Sequence, residues 1–180
     1  IDGAGKNTLV RALTSRIDAA TLTFPRYDTS IHAQLAARAL HGQMGDLVDS
    51  AHGMATLFAL DRYGAREVLD RYADSDEVLL LDRYVASNAA YTAARLKDDA
   101  AFDWVYDLEF GQLGLPVPHL QVLLETSVDE ASIREVRART RVFLPAPSIP
   151  SMLMIMISSG SARACRDPRR PRRCTLPVPW

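Results

Sequence analysis

A glycine-rich turn that runs straight into a helix sets the strongest limit on how this chain can fold. Ile1-Asp2-Gly3-Ala4-Gly5-Lys6-Asn7-Thr8 is followed by Leu9, Val10, Leu13 and Ile17, apolar residues spaced for one face of a helix. Gly3 and Gly5 permit the backbone angles and close approach by which successive amides, those of Ala4 and Asn7 included, surround phosphate oxygens. The helix start beyond them adds the positive end of a dipole. In such a loop Lys6 reaches the β and γ phosphates as a point charge, and Thr8 offers its hydroxyl to a phosphate or to Mg²⁺. The pattern predicts an anion hole for phosphoryl transfer.

The rest of the first 140 residues alternates between short apolar runs and helical periodicity. Ala20 to Phe24 reads as a strand stopped by Pro25, which lacks the amide donor that a strand interior needs. Ile31 to Leu40 and His52 to Tyr72 read as helices, the first punctuated by Gly42 and Gly45. Val78-Leu79-Leu80-Leu81 and Leu120 to Leu124 are continuous apolar runs, the pattern of strands buried on both faces. Ser87 to Leu96, Ala101 to Leu113 and Ser127 to Arg139 complete the helical stretches. This alternation predicts an α/β fold with a parallel sheet covered by helices on both faces and ligands at the carboxyl ends of the strands.

Composition divides the chain in two. Residues 1–140 carry 14 Lys+Arg against 21 Asp+Glu, whereas residues 141–180 carry 7 against 1 and hold seven of the ten prolines. The expected organisation is one domain over 1–140 followed by an irregular, disordered, basic Pro/Arg-rich tail over 141–180. Cys165 and Cys174 match no zinc or redox spacing, which points to a reducing cytoplasm. Met152 to Ile157 is far too short to cross a bilayer, so neither a membrane nor export is expected. The basic tail comes with no motif for reading a nucleic acid sequence.

Asp2-Gly3-Ala4-Gly5-Lys6-Asn7-Thr8, Phe24-Pro25-Arg26-Tyr27, Asp61-Arg62 and the run Asp82-Arg83-Tyr84-Val85-Ala86-Ser87-Asn88-Ala89-Ala90-Tyr91 together resemble bacterial thymidylate kinases in order and content. The resemblance spans about residues 1–139, and Lys-x-Thr in place of Lys-Ser/Thr is that family's own form of the loop. It implies a P-loop nucleoside-monophosphate-kinase fold, transfer of the γ-phosphate of Mg-ATP to dTMP to give dTDP, and a homodimer. Transfer between phosphates is catalysed mostly by positioning and charge neutralisation, which fits the residue types.

By the same resemblance Asp2, Lys6 and Arg83 are catalytic, with Arg83 gripping the dTMP phosphate through its guanidinium fork. Asp2, Thr8 and Asp82 stand near the metal. Phe58 stacks on thymine, Arg62 donates to a thymine carbonyl, and Asn88, assisted by Ser87, reads the pyrimidine edge. Tyr91 packs below the deoxyribose, and Phe24, Pro25 and Tyr27 line the sugar and phosphate side. Arg137 and Arg139, with Arg134, resemble the start of an arginine-bearing lid over ATP. The residues alone leave other roles open: Phe58 also fits a core-facing helix stripe, Asp2 could cap the following helix, Arg83 could pair with Asp82, and the lid arginines could form a solvated face.

The likeness stops at both ends. The first glycine of the loop motif and the strand that normally precedes it do not appear, so the expected sheet lacks its first strand. After about Thr140 the text departs from the family in a way that suggests a frameshift near residues 132–142. An inactive remnant, or a kinase for a related nucleoside or nucleotide, is therefore the alternative to a dTMP kinase.

Overall fold

The computed structural model describes residues 6–124 together with the backbone of residues 151–157. Helix α1 (Lys6–Thr14) is followed by strand β1 (Ala19–Thr23), α2 (Ile31–Leu40), a short 3₁₀ segment (Gly45–Asp49), α3 (Ala51–Tyr63), α4 (Arg66–Ala73) and β2 (Val78–Asp82). Then come α5 (Val85–Leu96), α6 (Ala100–Tyr106), which continues as a π-helical turn over Asp107–Gln112, β3 (Leu120–Leu124) and β4 (Ser151–Ile157). No helix among the described residues is long and apolar enough to cross a membrane.

Local chemistry explains several boundaries. The hydroxyls of Ser30 and Ser50 accept from the amides of Ala33 and Gly53 and so start α2 and α3. The sequence predicts one helix over His52 to Tyr72, but the chain breaks at Gly64 into α3 and α4. A Cβ at Gly64 would lie 2.9 Å from Arg26 Nη2, and Arg26 Nη2 donates to the carbonyl of Asp61. The missing side chain lets a guanidinium reach the end of α3.

The sheet runs in the order β1-β2-β4-β3. β1 and β2 are parallel, with Leu22 opposite Leu81. β4 is antiparallel to both β2 and β3, so the expected all-parallel sheet is instead mixed. The strand that makes it so comes from 151–157, within the stretch expected to be irregular. Its unbroken run Met152–Ile157 carries enough apolar side chains for a strand despite the prolines around it. The remainder of 141–180 and the helix expected over Ser127 to Arg139 lie outside the described residues.

Alternation along β2 divides the sheet's two faces. Leu79 and Leu81 join Leu69, Val85, Ala89, Val105 and Phe24 in the main core. On the opposite face, α1 lies over Thr21, Thr23, Leu80 and Asp82 across an open groove of ≈ 220 Å³. A smaller apolar cluster joins α2 to α3 through Ala36, Ala39 and Met54. Because β1 and β2 are parallel, the segments leaving both, Phe24-Pro25-Arg26-Tyr27 and Arg83-Tyr84, emerge at the same edge.

Candidate functional site

Helix α1 begins at Lys6, whose Nζ lies 3.1 Å from Asp82 Oδ1. The two side chains are 10% and 15% exposed, which shields the pair from screening by salt. Apart from this ion pair, the buried Asp82 Oδ1 accepts no hydrogen bond among the described residues. Asn7 and Arg11 of α1 flank the same groove. Thr8 is exposed on α1.

Immediately after β2 the backbone turns sharply at Arg83, which has φ 66°. A non-glycine residue held in that region costs about 1–3 kcal/mol, and such strain gathers where a side chain must be aimed. Arg83 Nη1 donates to the Tyr91 hydroxyl at 3.1 Å, and the guanidinium lies 5.7 Å from the Tyr91 ring centre. Tyr27 stands in the same electrostatic neighbourhood. Partial burial raises its phenol pKa above the ordinary value, with the nearby Arg83 charge opposing and Asp61 reinforcing the shift.

Two further ion pairs stand behind this group. Asp61, fully buried, accepts from the Arg26 amide at 2.9 Å and from Arg26 Nε at 3.0 Å. The next residue, Arg62, donates through Nε and Nη2 to both carboxyl oxygens of Glu109, the latter at 2.7 Å. Asn88 Nδ2 donates to Glu109 Oε1 at 2.8 Å and to the Ala55 carbonyl at 3.0 Å. Tyr84, fully buried, donates its hydroxyl to the Pro116 carbonyl at 3.0 Å. Burial pushes the Tyr84 pKa far up, and the neighbouring Glu109 adds to the rise.

The structure thus brings together Lys6 with Asp82, Arg83 with Tyr91 and Tyr27, and Arg62 with Asn88. It places Phe24 in the core at 1% exposure, in contact with the Tyr84 ring. Pro25 and Ser87 are half-buried beside these groups, and Phe58 packs against the smaller cluster between α2 and α3. Asp2, Gly3, Ala4, Gly5, Arg137 and Arg139 lie outside the described residues. Glu109 escaped the sequence reading, although a signal existed. Ala101, Val105 and Glu109 recur four residues apart on a buried helix face, where a charge demands a partner.

These features define an α/β protein whose charged side chains converge where two parallel strands end, beside the start of a helix. The chain belongs to the thymidylate kinase family, whose model matches residues 1–143. It is 52% identical to the thymidylate kinase of Mycobacterium tuberculosis, over 74% of this chain and 66% of that protein. It is 32% identical to that of Dictyostelium discoideum, over 74% of this chain and 59% of that protein. With the human thymidylate kinase it shares 29% identity over 74% of this chain and 61% of that protein. The chain therefore spans just under two thirds of the length of the mycobacterial relative.

Proposed function

We propose that this chain carries the substrate site of a dTMP kinase with the P-loop nucleoside-monophosphate-kinase fold, transferring the γ-phosphate of Mg-ATP to dTMP. The observation that carries the reading is the placement of Lys6, at the start of α1, 3.1 Å from Asp82 with Arg83 next in the chain. A cation for the donor phosphates and a fork for the acceptor phosphate then flank one point. Family membership supports dTMP and ATP as the substrates.

In this reading Arg83 grips the phosphate of dTMP through paired N–H donors, and its bond to Tyr91 fixes the guanidinium plane. An oxygen of that phosphate attacks the γ-phosphorus of ATP while the bond to the β-phosphate oxygen breaks, giving dTDP and ADP. Lys6 balances the charge on the transferring group. Asp82, a carboxylate at the strand end beside Lys6, is the kind of oxygen donor that a hard cation takes when it binds few protein oxygens and keeps its waters. When bound, Mg²⁺ neutralises phosphate charge; Asp82 would hold it, with Asp2 and Thr8 as further oxygen donors. A homodimer and a cytoplasmic location belong to the same reading.

The test is ADP release measured by a coupled assay with dTMP, and separately with thymidine, as acceptor. Release that depends on dTMP supports the assignment. Phosphorylation of thymidine alone would move the chain to a nucleoside kinase, and no release with either would favour the inactive remnant.

A further inference from the structure

Glu109 is the buried charge for which the phosphate chemistry above has no use. It sits at 0% exposure in the π-helical turn that follows α6. There the amide of Leu113 donates to the carbonyl of Leu108, five residues back, and that of Leu115 to the carbonyl of Glu109. Single π turns inside helices mark places where a side chain is re-aimed for function. A carboxyl buried this deeply is tolerated only when paired and hydrogen-bonded. Its partners are Arg62 and Asn88, which come from two other helices, α3 and α5.

The bonding fixes what those partners can offer. An amide nitrogen has two hydrogens, and those of Asn88 go to the Ala55 carbonyl and Glu109 Oε1. Both partners accept, so the amide cannot be turned over, and Oδ1 is the atom left to accept. The Arg62 guanidinium gives Nε–H and one Nη2 hydrogen to Glu109 and keeps the donors on Nη1. One carboxyl thus creates a fixed pair, a donor on Arg62 beside an acceptor on Asn88.

We propose that Glu109 is a positioning residue that selects keto pyrimidines over aminopyrimidines, by locking Arg62 as donor and the Asn88 oxygen as acceptor toward the base. This rests on the reading that Arg62 and Asn88 face the substrate base. Thymine and uracil present a carbonyl oxygen beside N3–H, which complements the pair. Cytosine presents an amino group beside an unprotonated N3, so donor meets donor and acceptor meets acceptor. Buried polar groups left unmatched in this way are the strongest source of discrimination in such sites.

The test is equilibrium binding of dTMP and dCMP to the full chain, unmodified and as Glu109→Gln. Glutamine keeps the shape but removes the charge and replaces one acceptor oxygen with a donor, which weakens the hold on Arg62 and leaves the Asn88 amide held chiefly by the Ala55 carbonyl. The expected result is a fall of about 10- to 100-fold in the dTMP:dCMP preference with dTMP still bound. An unchanged preference overturns the inference while leaving the functional reading intact. If the unmodified chain binds neither nucleotide, that reading fails and this inference falls with it. Glu109→Asp retains the charge but is one methylene too short to serve both partners, and the same loss is expected should the glutamine variant not fold. Hydrogen exchange of the Asn88 side-chain amide needs no variant. Slow exchange of both hydrogens in the free protein is expected, and rapid exchange would overturn the proposal.

Discussion

Asp61 and Arg62, neighbours at the end of α3, turn to opposite sides: Asp61 holds Arg26 beside the end of β1, and Arg62 holds Glu109 under α5. One helix end thus ties together the loop after β1, the π-helical turn and the start of α5. Both acids are fully buried. Removing one partner of a buried pair leaves an uncompensated charge and destabilises by about 3–5 kcal/mol. Arg26→Ala is expected to fall in that range by urea unfolding. Arg66→Ala breaks an exposed pair with Asp70 and is expected to change stability by about 0.5 kcal/mol or less. Equal effects in the two variants would contradict the placement of Asp61.

Lys6→Ala should act on turnover and also lower stability, because Lys6 stands at the first position of α1 and its removal leaves the largely buried Asp82 carboxylate without its ion-pair partner. Loss of a preorganised charge-stabilising donor reduces kcat by about 10²–10³-fold. The coupled ADP assay should show that drop, with dTMP binding measured by calorimetry nearly unchanged. Asp82→Asn should raise the magnesium concentration needed for half-maximal rate, because its buried oxygen loses its charge.

Tyr84 makes stability depend on alkaline pH. Its folded-state pKa lies far above the ordinary value of 10.0 that applies in the unfolded chain. Above pH 10.0 the unfolded state loses the phenol proton while the folded state retains it, so stability is full below that pH and falls as pH rises. The slope approaches about 1.4 kcal/mol per pH unit for one such group. Tyr84→Phe should be about 1 kcal/mol less stable near neutrality, having lost its bond to the Pro116 carbonyl. Its decline between pH 10 and 11 should be shallower than that of the unmodified chain in urea titrations at each pH.

What could be read from the sequence was local. Val78-Leu79-Leu80-Leu81 announced a buried strand, and Asp82-Arg83 at its end announced charge where parallel strands finish; both stand so in the fold. Pairing partners were not legible, because they depend on distant chain. Nothing near Arg62 indicates that its carboxylate lies 47 residues away. Nothing near Met152–Ile157 indicates that this run enters the sheet between β2 and β3. Aromatic residues were ambiguous for another reason. Phe24 serves the core by the same size and apolarity that would let it line a ligand.

Tyr91→Phe isolates one hydrogen bond. The ring and its contact with the Arg83 guanidinium remain, while the donation from Arg83 Nη1 at 3.1 Å is lost. A charged hydrogen bond of this kind contributes about 1.5–3 kcal/mol. With Arg83 less firmly aimed, the KM for dTMP is expected to rise about tenfold, with a smaller change in kcat. A change confined to kcat would mean that the Tyr91 hydroxyl does not position Arg83 for the acceptor.

β4 is the bridge on which the sheet depends. Ile155 lies opposite Leu80 of β2 on one side and Leu120 of β3 on the other, and among the described strands β2 and β3 meet only through this one. Proline in the interior of a strand flanked on both sides removes a ladder hydrogen bond and is essentially confined to edges elsewhere. Ile155→Pro leaves a buried carbonyl of a neighbouring strand without its donor and is therefore expected to destabilise by about 1–3 kcal/mol, read from the urea midpoint. Proline at Thr21 of β1, which pairs with β2 alone among the described strands, should be tolerated better. If Ile155→Pro left the midpoint where it was, the strand from 151–157 would not hold β3 to the rest of the sheet, and β2 and β3 would need another connection.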